Sequence, residues 1–105
     1  MYVRSAYWIG RPRAGEEARF RAMIDGEIVP AMRRFPGVSA VKALWPEHYE
    51  DDPPQVYLQV LVEFARPEDR DTMAASSERA ALRPQIKEAI ALFEGAMSHV
   101  EGEMR

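Results

Sequence analysis

Two histidines are the side chains of this sequence whose ordinary pKa lies closest to neutrality, and they sit in different settings. His99 falls in an alternating stretch with Met97, Glu101 and Glu103, which can carry its ring into a cleft where titration near neutrality suits proton transfer. The alternative is a partly exposed histidine near a sheet edge. His48 lies in the acidic run Glu47-His48-Tyr49-Glu50-Asp51-Asp52, from which it can overhang a cavity mouth or simply face water. Glu63 stands among apolar neighbours on a sheet-forming run, so a carboxylate there must be paired or protonated. Arg4 is the expected partner. The two would form a structural bridge, or together hold an acidic or hydroxylated ligand. Trp8, Trp45 and Tyr57 offer flat walls for an aromatic ligand, with ordinary packing as the competing use, and Gln59 adds a polar handle.

Other chemistries find little support. Cysteine is absent, which removes disulfides, thiolate metal sites and thiol nucleophiles together. No pair of histidines or carboxylates has metal-ligand spacing, no glycine-rich loop suits phosphate, and no serine sits in a nucleophile elbow, so neither metal nor cofactor is expected. The 17 acidic and 14 basic residues give a net charge of -3, and the basic residues are dispersed, so nucleic acid is not an expected partner. No basic region precedes a long apolar stretch, and the apolar runs are too short to span a bilayer. The expected location is cytoplasmic, with no membrane partner.

With 105 residues, one domain (1–105) with one core in two layers is expected. Residues 2–9 read as a strand ended by Gly10, Pro12 and Gly15. From Glu16 the period changes: Phe20, Ile24, Ile28, Ala31 and Phe35 recur at helical spacing, with a kink expected at Pro30 and a stop at Pro36-Gly37. Ser39–Trp45 is the next strand, and Val56–Phe64 is the clearest, because its even positions are all apolar. Pro67 opens a short helix to about Ala75, and Ser76 or Ser77 can cap a second helix carrying Leu82, Ile86, Ile90 and Phe93. Pro84 predicts a break or late start in that helix, Gly95 its end, and residues 96–104 a final strand.

The order β-α-β-β-α-β, with both helical segments on one side of the sheet, predicts an α+β ferredoxin-like sandwich of strand order 4-1-3-2. A register with Arg4 beside Glu63 and Glu101 or Glu103, and Trp8 beside Tyr57 or Gln59 and Met97 or His99, places all of these on the helix-free face. Such a face is too apolar to remain wet. A second copy of the chain is expected to cover it, forming a homodimer with a cavity between the sheets for a small-molecule ligand.

The element order, the helix-ending Arg33-Arg34-Phe35-Pro36-Gly37-Val38, and the stretch from Ala75 that runs Ala-Ser-Ser-Glu-Arg-Ala-Ala-Leu-Arg-Pro and closes on Glu94-Gly95-Ala96-Met97-Ser98-His99-Val100-Glu101 have a further implication. The chain resembles the dimeric α+β barrel superfamily and, within it, the ethyl tert-butyl ether degradation (EthD-like) proteins. That resemblance implies a homodimer of ferredoxin-like subunits. It also implies a small-molecule enzyme, a cofactor-independent oxygenase or isomerase acting on a small aromatic or polyketide-like compound, or else a non-catalytic binding or accessory protein of the same fold. In such an enzyme His99 or Glu63 would accept a proton, and Arg4 or Tyr57 would orient an oxyanion. The EthD-like pattern often carries a histidine two residues before the helix-1 proline. Here that proline is Pro30 and the matching position is Ile28, which cannot exchange a proton.

Overall fold

A computed structural model describes residues 1–105. Its strands are β1 (Tyr2–Pro12), β2 (Val38–Leu44), β3 (Val56–Phe64) and β4 (Phe93–Glu103), and its helices are α1 (Glu17–Met23), α2 (Val29–Met32), α3 (Pro67–Ala74) and α4 (Ser77–Ala91). The sheet order is β2-β3-β1-β4, which is 4-1-3-2 read from the other edge, and every pairing is antiparallel. This is the ferredoxin-like α+β fold. The helices bury Phe20, Ile24, Ile28, Leu82 and Ala89 against Leu58, Val60, Val62 and Phe64, four of the five even positions of β3. Phe20, Leu58 and Phe64 are wholly inaccessible to water.

Between α1 and α2 lies a π-helical turn, Ile24–Ile28. Pro30 has no N–H for the Gly26 carbonyl, and its ring would crowd that oxygen. The backbone widens just upstream, and the Val29 N–H reaches back five residues to Ile24. The expected kink is therefore a local change of pitch. Pro84, by contrast, neither breaks nor delays α4, which runs unbroken from Ser77 to Ala91. It starts where the Ser76 hydroxyl accepts the Arg79 N–H at 3.1 Å.

Gly95 does not terminate α4. It lies inside β4 opposite Gly10 of β1, and both have positive φ, 144° and 130°. A Cβ on Gly10 would come within 2.1 Å of the Glu94 carbonyl oxygen, and one on Gly95 within 2.0 Å of that of Ile9. Two glycines let the strands approach here, so β1 and β4 are each longer than the spans 2–9 and 96–104 expected from sequence.

The register of β1 corrects one sequence-based expectation. Beside β4, Arg4 faces Glu101 and Trp8 faces Met97, as expected. Beside β3, however, Arg4 faces Val62, Val3 faces Glu63 and Trp8 faces Leu58. A slip of one residue exchanges the two faces of a strand. Arg4, Ala6 and Trp8, with Met97, His99 and Glu101, therefore lie under the helices. The helix-free face carries Ser5, Tyr7, Gln59, Leu61 and Glu63, with Lys42 and Leu44 from β2 and Val100 from β4.

Candidate functional site: a cationic, methionine-rich cavity beneath α4

Between sheet and helices lies a cavity of about 660 Å³, within the range of small-molecule pockets. Its floor is Arg4, Ala6 and Trp8 of β1, Val60 and Val62 of β3, and Met97 and His99 of β4. Ile24, Ile28, Met32, Met73, Leu82 and Ile86 form the walls and roof, with Arg79, Arg83 and Lys87 along α4. Three methionines, Met32, Met73 and Met97, make a lining that can adapt to a ligand's shape. His99, Arg83, Pro84 and Lys87 are solvent-exposed, so the mouth opens between α4 and β4.

The polar end is organised by Glu101. Its carboxylate accepts from Arg4, from the Tyr2 hydroxyl at 2.9 Å, and from Arg70 Nε of α3 at 3.0 Å. Burial alone would raise its pKa, but these three donors outweigh burial and hold the carboxyl below the usual carboxylate range. Arg4 thus lies under the helices at little electrostatic cost, since it has a charged, hydrogen-bonded partner. Arg79, half-buried on the roof, has no protein acceptor for its guanidinium. Desolvation lowers its pKa first, then repulsion from Arg4, Arg83 and Arg70. His99 has no protein hydrogen-bond partner either. Its pKa is lowered by desolvation and by the positive charges of Arg4 and Arg79, with Glu101 pulling the other way. The exposed position of His99 on the edge strand and its desolvation describe one ring, open on one side and pressed against the cavity wall on the other. At neutral pH it is a neutral imidazole beside two guanidinium groups, an arrangement that can take a proton and stabilise the anion left behind.

Of the side chains singled out from sequence, Arg4, Trp8 and His99 meet in this cavity, although Trp8 is only 3% exposed and is packed edge-on against Phe20 and Phe93. The others lie elsewhere. Glu63 is on the helix-free face and pairs with Lys42 at 3.0 Å, which meets its need for a counter-charge without Arg4. Gln59 is on that same face and donates to Ser5 Oγ at 2.9 Å and the Tyr7 hydroxyl at 3.2 Å. His48 is 77% exposed and pairs with Glu50, away from the cavity. Tyr57 reaches the helix side by a different route. Trp8 pairs with Leu58 and Ile9 with Val56, so Tyr57 is the extra residue of a β-bulge and turns under α1. There it packs edge-on with Phe20 and Trp45, and its hydroxyl accepts from Arg21 Nε at 3.0 Å. Tyr57 and Trp45 therefore pack one end of the core. Sequence reasoning placed Met97 beside Trp8 but missed Arg79, Arg83, Lys87, Met32 and Met73. The available signal was the spacing of Arg79, Arg83 and Lys87 at four-residue intervals beside Leu82 and Ile86. Ile28, at the position where the EthD-like pattern carries histidine, is 2% exposed in the cavity wall.

No group of three or more histidine and carboxylate side chains is arranged to hold a metal ion, and no helix is long and apolar enough to cross a membrane.

Sheet order and helix placement define a ferredoxin-like α+β fold, and in that fold the chain is similar to an EthD family protein and to dimeric ferredoxin-like proteins. An EthD family protein from Bacillus halodurans C-125 superposes with a TM-score of 0.77 at 17% identity, covering 100% of both chains. A dimeric ferredoxin-like protein of unknown function from Jannaschia sp. CCS1 gives 0.65 at 16% identity, covering 99% of this chain and 100% of that one. SnoaB, a cofactor-independent oxygenase from Streptomyces nogalater, gives 0.63 at 13% identity over 99% of this chain and 91% of its own. No protein-family model matches the sequence, and no curated protein is significantly similar to it.

Proposed function

We propose that this protein is a small-molecule enzyme that binds an aromatic or polyketide-like compound in the cavity beneath α4 and removes a proton from it, as a cofactor-independent oxygenase or isomerase. The observation that carries this reading is that His99 shares the lining of an apolar cavity of about 660 Å³ with Arg4 and Arg79; burial and these two cations lower its pKa, which favours the neutral imidazole. His99 accepts the proton of an acidic O–H or C–H bond. Arg4 and Arg79 hold the resulting oxyanion. Met32, Met73 and Met97 enclose the carbon skeleton and exclude water, so the anion can meet dioxygen or be reprotonated at another carbon. The likeness to SnoaB supports the oxygenase branch through the fold alone.

Two copies joined through their helix-free sheet faces complete the molecule in this reading. Val100 is 59% exposed and Leu44 48% exposed on that face, and two such faces can bury each other around the Gln59, Ser5 and Tyr7 hydrogen bonds. The ligand cavity lies on the other side of each sheet, not between the two subunits.

A second reading, a non-catalytic binding or accessory protein working in the cytoplasm, is favoured by Ile28, which leaves the cavity one proton-transfer group fewer than the EthD-like pattern. Oxygen uptake and product formation with phenolic and 1,3-dicarbonyl compounds separate the two readings. Turnover that His99→Gln abolishes supports the enzyme. Tight binding without turnover overturns the enzyme reading, and turnover indifferent to His99→Gln overturns the role given to His99.

A further inference from the structure

The chain is acidic overall, yet the lining of its cavity is not. Four permanent cations, Arg4, Arg79, Arg83 and Lys87, border it, and no carboxylate does. Glu101 neutralises Arg4 from behind, and Arg70 shares that same carboxylate. Arg79, Arg83 and Lys87 have no ion-pair partner. A solvated helix face would account for Arg83 and Lys87, which are exposed. It does not account for Arg79, which is half-buried, lies near Arg4 and His99, and has no acceptor in the protein. A partly desolvated guanidinium held among other cations is a cost to the fold unless something negative joins it.

We propose that the cavity selects small apolar molecules that carry a carboxylate, with Arg79 as the anion-binding residue, Arg83 and Lys87 drawing the anion to the mouth, and the methionine-lined interior taking the apolar body. This rests on the reading of the cavity as a ligand site and narrows its ligands to acids. Arg79 suits the task because its planar fork matches a carboxylate with two parallel hydrogen bonds, whereas a lysine is a single point of charge. Arg83 and Lys87 stand one and two helical turns further along the same side of α4. Their fields act mainly on the rate of capture and weaken with salt.

The test compares 2-naphthoic acid with its neutral near-isostere 2-naphthamide by calorimetric titration against the full chain at low and at physiological salt. The expected result is at least tenfold tighter binding of the acid. In Arg79→Gln that preference falls to within about twofold because the acid loses far more affinity than the amide, and Arg79→Lys retains part of it. Circular dichroism establishes that each variant is folded. Lys87→Gln reduces the salt dependence of acid binding but leaves the preference in place. Equal binding of acid and amide by the wild type overturns the proposal and leaves the cavity reading standing. So does a preference that survives Arg79→Gln. Failure of both compounds to bind overturns both readings.

Discussion

His99 carries the pH behaviour of the site. Burial comes first among the causes that lower its pKa, followed by Arg4 of β1 and Arg79 of α4, with Arg70 of α3 adding to them and Glu101 opposing. The folded protein therefore takes up the histidine proton at lower pH than the unfolded chain, whose imidazole titrates near 6.5. Below that value the unfolded state binds more protons, so stability falls as the pH drops. Glu101 acts in the same direction in a more acidic window, because its stabilising contribution is present above the unfolded value of 4.5 and is lost as pH falls toward its depressed folded pKa. Urea unfolding across pH 4 to 8 should show wild-type stability declining below about pH 6.5, and His99→Gln should flatten the upper part of that decline. In turnover, the acid limb of kcat/KM should lie below 6.5, and His99→Gln should lower kcat by about 100-fold or more. Glu101→Gln removes the charge shared by Arg4, Arg70 and Tyr2. A loss of about 1–3 kcal/mol is expected in denaturant titrations.

The cavity is held by elements whose irregularities can each be traced to a residue. Pro30 forces the π turn that carries Ile24 and Ile28, both lining residues. The bulge at Tyr57 turns its ring under α1 beside Phe20, closing that end of the core. Gly10 and Gly95 allow β1 and β4 to pair over eleven residue pairs, which keeps Met97 and His99 on the cavity floor. Gly95→Ala places a methyl group against the Ile9 carbonyl and in a backbone region nearly reserved for glycine, and Gly10→Ala does the same against Glu94. Each should cost about 2 kcal/mol or more in thermal or urea unfolding. Gly26→Ala, where a Cβ meets nothing within 4 Å, should be neutral or slightly stabilising by the same measurement.

At the scale of the whole molecule, the helices cover one face of the sheet and leave the other with Leu44 and Val100 in water. A dimer through that face should give a light-scattering mass about twice the chain's 12.0 kDa. Val100→Glu should shift the population toward monomer while leaving the affinity for 2-naphthoic acid within about threefold, because Val100 and the cavity lie on opposite sides of the sheet. Loss of binding on dissociation would show instead that the partner shapes the cavity.

The amino-acid sequence alone determined the element order, the strand order and the inner face of β3, because proline and glycine punctuation and an uninterrupted apolar alternation at Val56–Phe64 leave few other solutions. It did not determine the inner face of β1. Both alternating sets of that strand mix apolar and polar residues, so no hydrophobic pattern chose between Val3-Ser5-Tyr7 and Arg4-Ala6-Trp8. Tertiary structure decided it through groups distant in sequence. Glu101 and Arg70 make it possible for Arg4 to lie beneath the helices, and the bulge opposite Trp8 sets the pairing. That choice moved His99 from a surface between subunits to the edge of a cavity within one, since faces shared across paired strands must change together.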